Sequence, residues 1–214
     1  MMNIEVFTFN PFQENTYVLY DETKEAIIID AGCYSQKENE ELSDFMDKHE
    51  LTPKRLIHTH CHVDHMLGND FICTKYGLYP ELHKNELSIL TSSRQYGAVF
   101  DLNVTSSPEP KAFLDEGDEI EFGNTRLDIL HVPGHSPGHL AFVHKDQKEV
   151  IVGDILFLGS IGRTDLPGGD HDTLIQNIHN KLMVMDEDFR VHPGHGPTTT
   201  IGFEKKSNPF LQHN

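Results

Sequence analysis

The heptapeptide Thr59-His60-Cys61-His62-Val63-Asp64-His65 constrains this chain more than any other stretch. It sets three imidazoles and a carboxylate within six positions, directly after Arg55-Leu56-Ile57-His58. Packing and solubility do not select four metal-capable side chains at that density. Imidazole with carboxylate suits zinc, iron or manganese. The fold must therefore carry this cluster on a turn at the end of a strand, where a rigid scaffold can hold it.

Three more segments repeat the same local design, a short apolar run giving way to a glycine turn that carries a ligand type. They are Val132-Pro133-Gly134-His135-Ser136-Pro137-Gly138-His139, Val152-Gly153-Asp154, and His192-Pro193-Gly194-His195-Gly196. Glycine and proline beside each ligand let the backbone turn sharply and approach an ion closely. His60, His62, Asp64, His65, His135, Asp154 and His195 make seven candidates. One open four-coordinate zinc needs only three protein ligands. Two ions roughly 3.5–4 Å apart, sharing a carboxylate, would use all seven. Asp154 is the natural bridge, because a carboxylate has two oxygens to divide and an imidazole only one free nitrogen. Two ions are the better count.

The rest of the chain is that of an ordinary globular protein, with 24% charged and 37% hydrophobic residues over 214 positions. This length fits one domain, 1–214. A formal charge of −17 argues against a phosphate-backbone binder, so no nucleic-acid partner is expected. Small anionic substrates stay possible, since bound dications reverse the local field. Cys33, Cys61 and Cys73 are odd in number and form no CxxC pair, which suits a reducing compartment. With no apolar stretch of about 18 residues and no secretory pattern at the start, a cytoplasmic protein without membrane attachment is expected.

Strand patterns occupy residues 4–9, 16–20 and 26–29, and a helical apolar spacing runs from Glu38 to Glu50. Lys54–Ile57 reads as a strand, then Leu67–Tyr76 and Pro80–Tyr96 as helices, with a loop over 101–112. Strand signals return at Ile120–Phe122, Arg126–Val132, His139–His144 and Val150–Val152. Asp172–Met185 reads as an amphipathic helix and Phe189–His192 as a last strand, with a short helix or loop from Thr198. The elements form two similar blocks split near residue 100.

In that order, His-x-His-x-Asp-His, Gly-His, Gly-Asp and Gly-His resemble the metallo-β-lactamase superfamily across nearly the whole chain. Gly153-Asp154-Ile155-Leu156-Phe157 and Gly162-Arg163-Thr164-Asp165-Leu166 resemble its glyoxalase II-like branch. The stretch Gly202–Phe210 is similar to short single-domain members of that branch. The resemblance implies an α/β fold (α+β in some schemes), a four-layer αβ/βα sandwich of two mixed sheets flanked by helices. It also implies that His60, His62 and His135 hold one ion, that Asp64, His65 and His195 hold the other, and that Asp154 bridges both.

The cofactors implied are two divalent ions, zinc first, with iron or manganese as alternatives. A bridging water would become a hydroxide near neutral pH and attack a thioester carbonyl. The expected activity is a glyoxalase II-like thioesterase acting on a hydroxyacyl-glutathione type of small molecule, with Asp154 and Asp64 in the catalytic machinery. Only a short tail, Gly196 to Asn214, follows His195, so the glutathione-gripping helical domain of two-domain glyoxalase II enzymes has no counterpart here. A mono-iron persulfide dioxygenase of the same superfamily keeps a similar pattern, and a lactonase would use the same hydroxide. True lactamases place cysteine or serine where Asp154 stands, and flavin-coupled diiron reductases carry glutamate at the position of His62. Both fit less well.

The resemblance offers Arg163, and more weakly Lys205 and Lys206, to an anionic substrate arm. A salt bridge of Arg163 with Asp165 and a solvated tail are the plainer readings. Asp30, in Asp-Ala-Gly, either orients a ligand histidine or ends a strand. Cys61 alternates away from the ligands and reads as a buried structural thiol. Of the 15 histidines, His58, His131, His139 and His192 flank the ligand turns and read first as packing residues, with support of the ligands as the alternative. His49, His83, His144, His171, His179 and His213 read as surface or ordinary helix residues.

Overall fold

The computed structural model describes residues 1–212. These fall into two compact units, one of residues 1–114 with 121–126, the other of residues 115–120 with 127 onward. The first unit thus runs past the break read near residue 100 and takes back a hairpin tip.

In the first unit, β1 (Asn3–Phe9), β2 (Glu14–Tyr20) and β3 (Glu25–Ile29) pair antiparallel. Helix α1 (Gln36–Lys48) returns the chain to β4 (Thr52–Ile57), which runs parallel to β3. The interior place of β3 explains why Ala26 to Ile29 are all apolar and fully buried. Ser35 caps α1 in a reciprocal capping box with Glu38. The buried Leu42 and Met46 join Phe7, Val18, Ile28 and Leu56 in one core. Pro53 is tolerated near the start of β4 because the register slips there, opposite Ala26 and Ile27.

Helix α2 (Asn69–Tyr76) follows, then β5 (Pro80–Leu82), α3 (Leu87–Thr91), α4 (Ser93–Val99) and β6 (Ala112–Phe113). The sheet order is β1-β2-β3-β4-β5-β6. The single helix read over Pro80–Tyr96 is not formed. Pro80 and Leu82 are buried while Glu81 is half-buried and pairs with Arg55 of β4 at 2.6 and 3.0 Å, a two-residue alternation. Proline opens the strand, where its missing N–H costs least. The helical remainder is broken into short turns after His83.

The second sheet holds β7 (Glu119–Phe122), β8 (Thr125–His131), β9 (Leu140–His144) and β10 (Glu149–Gly153). After the small hairpin β11 (Leu156–Phe157) and β12 (Ser160–Ile161) comes α5 (His171–Asn177). Then follow β13 (Arg190–Pro193), β14 (Thr199–Thr200) and α6 (Ile201–Ser207). The order is β14-β13-β10-β9-β8-β7, with β10 and β13 parallel. The helix read to Met185 is α-helical only to Asn177 and widens into a π turn over Ile178–Leu182. Leu174, Ile178 and Leu182 remain fully buried against Val150, Val152 and Val191. The architecture is α/β, two mixed sheets flanked by helices, as the sequence resemblance implied. Among the described residues no helix is long and apolar enough to cross a membrane.

Candidate metal centre

The first unit gathers His60, His62, Asp64 and His65 on the chain leaving β4. The His60 ring lies 4.7 Å from that of His62 and 4.1 Å from that of His65, centroid to centroid. Val63–His65 is one 3₁₀ turn, with His65 N–H donating to His62 O at 3.0 Å. Such a turn compresses the ligand spacing that an extended strand would spread.

Asp30 organises these imidazoles. It follows β3 with φ 53°, a left-handed conformation that aspartate tolerates. Oδ1 accepts Thr59 N–H at 2.7 Å, and Oδ2 accepts the Thr59 hydroxyl at 2.5 Å. His65 Nδ1 stands 3.1 Å from the same Oδ2. A carboxylate only accepts, so His65 carries its proton on Nδ1 and turns a lone pair outward at Nε2. The Thr59 proton is committed to Asp30, so its oxygen accepts from His60 Nδ1 at 3.0 Å, and His60 Nε2 is likewise a lone pair. Burial opposes charge on Asp30, yet the adjoining imidazoles of His58 and His65 hold its carboxyl well below the usual carboxylate range. Asp30 does both things read for it: it ends β3, and its carboxylate orients the His65 ring.

The second unit brings His135, Asp154 and His195 together. Neighbouring parallel strands β10 and β13 end side by side, and Gly194 N–H donates to Gly153 O at 2.8 Å. This fixes the Asp154 and His195 turns against each other. Asp154 Oδ2 lies 3.6 Å from Nε2 of His135 and 3.6 Å from Nε2 of His195. His135 Nδ1 donates to the Arg163 carbonyl at 2.7 Å, which leaves Nε2 as a lone pair. Asp154 N–H donates to His139 Nε2 at 3.1 Å. His139 therefore touches the Asp154 backbone, in keeping with the supporting alternative to its packing reading.

Glycine is required beside His135. Gly134 has φ 136°, and a Cβ there would sit 2.4 Å from the backbone of Leu174. Asn177 of α5 holds the same turn by donating to Pro133 O at 2.9 Å.

These contacts supply a test of whether a cation fits. His135 Nε2 and Asp154 Oδ2 are both electron-pair donors, 3.6 Å apart and beyond hydrogen-bond length. His65 Nε2 and Asp64 Oδ2 face each other in the same way at 3.7 Å. Donor facing donor is repulsive unless a positive charge lies between them, and imidazole with carboxylate is a divalent-metal set. The residues fit a divalent metal, as the sequence implied.

The other expected residues are placed as follows. Arg163 is exposed and forms a two-pronged pair with Asp165, both bonds 2.7 Å, which draws the Asp165 carboxyl down to about 2. Lys205 Nζ donates to Met185 O at 2.9 Å, and Lys206 pairs with the exposed Glu187 at 2.8 Å. Cys61 is buried as read, and burial pushes its thiol up. His192 bonds the buried Glu149 at 2.7 Å. His58 is buried with Nδ1 3.5 Å from Asp30 Oδ1, whereas His83 and His144, read as surface or ordinary helix residues, are buried. His213 lies outside the described residues.

Sequence reasoning missed Thr59 as a link between Asp30 and His60. It also missed two buried glutamates beside the cluster. Glu14, whose carboxyl burial pushes well above the usual range, stands 3.8 Å from His65 Nδ1. Glu86 accepts Cys61 N–H at 2.9 Å. Glu14 opens β2 and is followed by the polar Asn15 and Thr16, so no residue pattern marked it as buried.

The family model of the metallo-β-lactamase superfamily matches residues 9–195. The chain belongs to that superfamily of metal-dependent hydrolases. Over 98% of both chains it is 36% identical to the hydroxyacylglutathione hydrolase GloC of Haemophilus influenzae. Among solved structures it resembles BLEG-1, a B3 metallo-β-lactamase, at 34% identity and TM-score 0.89, covering 99% of this chain and 100% of that one. It also resembles TTHA1623 in a di-iron-bound form, at 35% identity and TM-score 0.87, covering 97% and 100%.

Proposed function

We propose that the two ligand clusters are the halves of one dinuclear centre and that the protein hydrolyses a thioester of the hydroxyacyl-glutathione type. His60, His62 and His135 hold one ion, Asp64, His65 and His195 the other, and Asp154 spans both. The observation that carries this reading is the fixed tautomer of His60, His65 and His135. Each has its Nδ1 proton anchored on protein oxygen and its Nε2 left as a lone pair. When bound, such a pair of ions acidifies water toward neutral pH and polarises a carbonyl oxygen.

The chain's own residues supply orientation. Asp30 and Thr59 set the rings of the first cluster, and the Arg163 carbonyl sets His135. His139 and the β10–β13 pairing hold Asp154. No serine or cysteine nucleophile is needed, and Cys61 is kept as a buried thiol. The similarity to a hydroxyacylglutathione hydrolase over nearly the full chain supports the thioester, and that to a di-iron protein supports two ions.

Purified protein assayed for metal content and against hydroxyacyl thioesters, glutathione persulfide with oxygen uptake, lactones and a β-lactam tests the reading. Two ions with thioester hydrolysis and no oxygen uptake are expected. A single iron with oxygen consumption would replace it by the dioxygenase. Asp154→Ala should lose bound metal and hydrolysis together; full activity in that variant would overturn the bridging assignment.

A further inference from the structure

We propose that Asn10 is a positioning residue for Asp64, its side-chain amide clamping the backbone that carries this ligand. The inference rests on the reading of Asp64 as a metal ligand. Asn10 opens the turn between β1 and β2 with φ 53°, and Gln13 closes that turn with φ 57°. Two non-glycine residues held left-handed in so short a turn are unfavourable unless surrounding bonds over-determine them.

The bonds do so. Asn10 N–H donates to Glu38 Oε1 at 2.8 Å, and Asn10 Oδ1 accepts Phe12 N–H at 2.9 Å. With Oδ1 facing a donor, the amide orientation is fixed, and Nδ2 points to two carbonyls, Gly32 O and Asp64 O, each at 3.0 Å. The amide NH₂ carries two hydrogens and so can serve both acceptors. The 3₁₀ turn uses the carbonyls of His62 and Val63 for its own bonds, to His65 and Met66. The carbonyl of Asp64 accepts from outside the turn, from Asn10 Nδ2.

The clamp has a firm base. Glu38 Oε2 accepts the N–H groups of Tyr34 and Ser35, both at 2.8 Å, at the start of α1. At the other end the approach is close enough to require glycine. A Cβ on Gly32 would lie 2.8 Å from Asn10 Nδ2 and closer still to the Glu14 carboxylate. Gly32 lies two residues after Asp30. One amide thereby ties the segment that orients His65 to the segment that bears Asp64.

The test compares wild type, Asn10→Gly and Asn10→Asp. Metal-free protein is titrated with Co(II), followed by absorption and by metal analysis after dialysis, and its melting temperature is recorded. Asn10→Gly keeps the left-handed backbone cheaply while deleting the amide. Asn10→Asp keeps the shape but turns an acceptor toward two carbonyls. In both variants one equivalent should bind as in wild type and the other about 10–100-fold more weakly, the usual effect of losing a group that orients a ligand. The melting temperature of metal-free Asn10→Gly should stay close to wild type. Two equivalents at wild-type affinity in both variants, or equal weakening of both with a large fall in melting temperature, would overturn the role of Asn10 alone. Uptake of only one equivalent by wild type would instead remove the two-ion reading, and this inference with it.

Discussion

The Thr59 hydroxyl donates to Asp30 Oδ2 at 2.5 Å, and this bond sets the protonation of the neighbouring His60 ring. Because the threonine proton is directed to the carboxylate, its oxygen accepts from His60 Nδ1. One buried carboxylate thus aims two lone pairs, that of His65 directly and that of His60 through a hydroxyl. Replacing Asp30 by asparagine keeps the volume but sets an amide donor against groups that themselves donate. The expected result is a metal affinity reduced by about 10–100-fold, measured by competition with a chromophoric chelator. Unchanged affinity would mean that the rings are held by packing instead.

Gly162 gives a second prediction. A Cβ there would collide with the Asp154 carbonyl and lie 3.1 Å from His135 Nδ1. Gly162→Ala should therefore displace Asp154 and His135, both proposed ligands, at once. Metal content should fall below half of wild type while far-ultraviolet circular dichroism still reports a folded chain, since the clash is local. Retention of full metal content would show that the turn can yield.

Asp21 should govern part of the acid sensitivity. Its carboxylate accepts Thr23 N–H at 2.9 Å and the Thr23 hydroxyl at 2.5 Å, then Asn124 N–H at 2.7 Å and the Thr125 hydroxyl at 2.9 Å. Burial opposes its charge, but these bonds win and lower its pKa below the ordinary 3.8. A group whose folded value is depressed stabilises above its unfolded value, and that stability is lost as pH falls through the folded one. Asp21→Asn should cost about 2 kcal/mol at pH 7 by urea unfolding, the scale of bonds to a buried charge. The gap between variant and wild type should close below pH 3.8, as protonation does to the wild type what the substitution has already done. A gap independent of pH would assign the effect to shape, not charge.

Glu204 in α6 offers a test in the second unit. Fully buried, it accepts the Thr199 hydroxyl at 2.6 Å, Gly159 N–H at 3.0 Å and Asn208 Nδ2 at 2.8 Å. Glutamine would turn an NH₂ toward groups that already donate. Destabilisation of about 2–3 kcal/mol is expected, read as a lower urea midpoint at unchanged slope. An unshifted midpoint would show that the donors find other acceptors.

Strands with a consistent apolar signature were legible in the sequence, β3 and β10 above all, as were the ligand turns that end β4, β8, β10 and β13. Elements whose formation depends on neighbours were not. Pro80-Glu81-Leu82 becomes a strand because β4 offers it a partner, and no three-residue pattern can announce that. The hairpin Leu156–Ile161 is too short to carry a periodicity, and its Gly159 is held by Glu204, 45 residues later in the chain. At the site, seven ligand types could be picked out by kind and spacing. Their orientation could not, because it depends on Thr59, Asn10, His139 and the Arg163 carbonyl, groups whose bonds leave no trace in residue type.

The Asp30–Thr59–His60 relay, with its branch to His65, has a consequence for the order in which the molecule is made. Both imidazoles receive their orienting bonds from residues that leave the ribosome before them or beside them. A nascent chain emerged as far as His65 already contains every group in that relay, whereas Glu86, which accepts the Cys61 N–H beside it, is added only later.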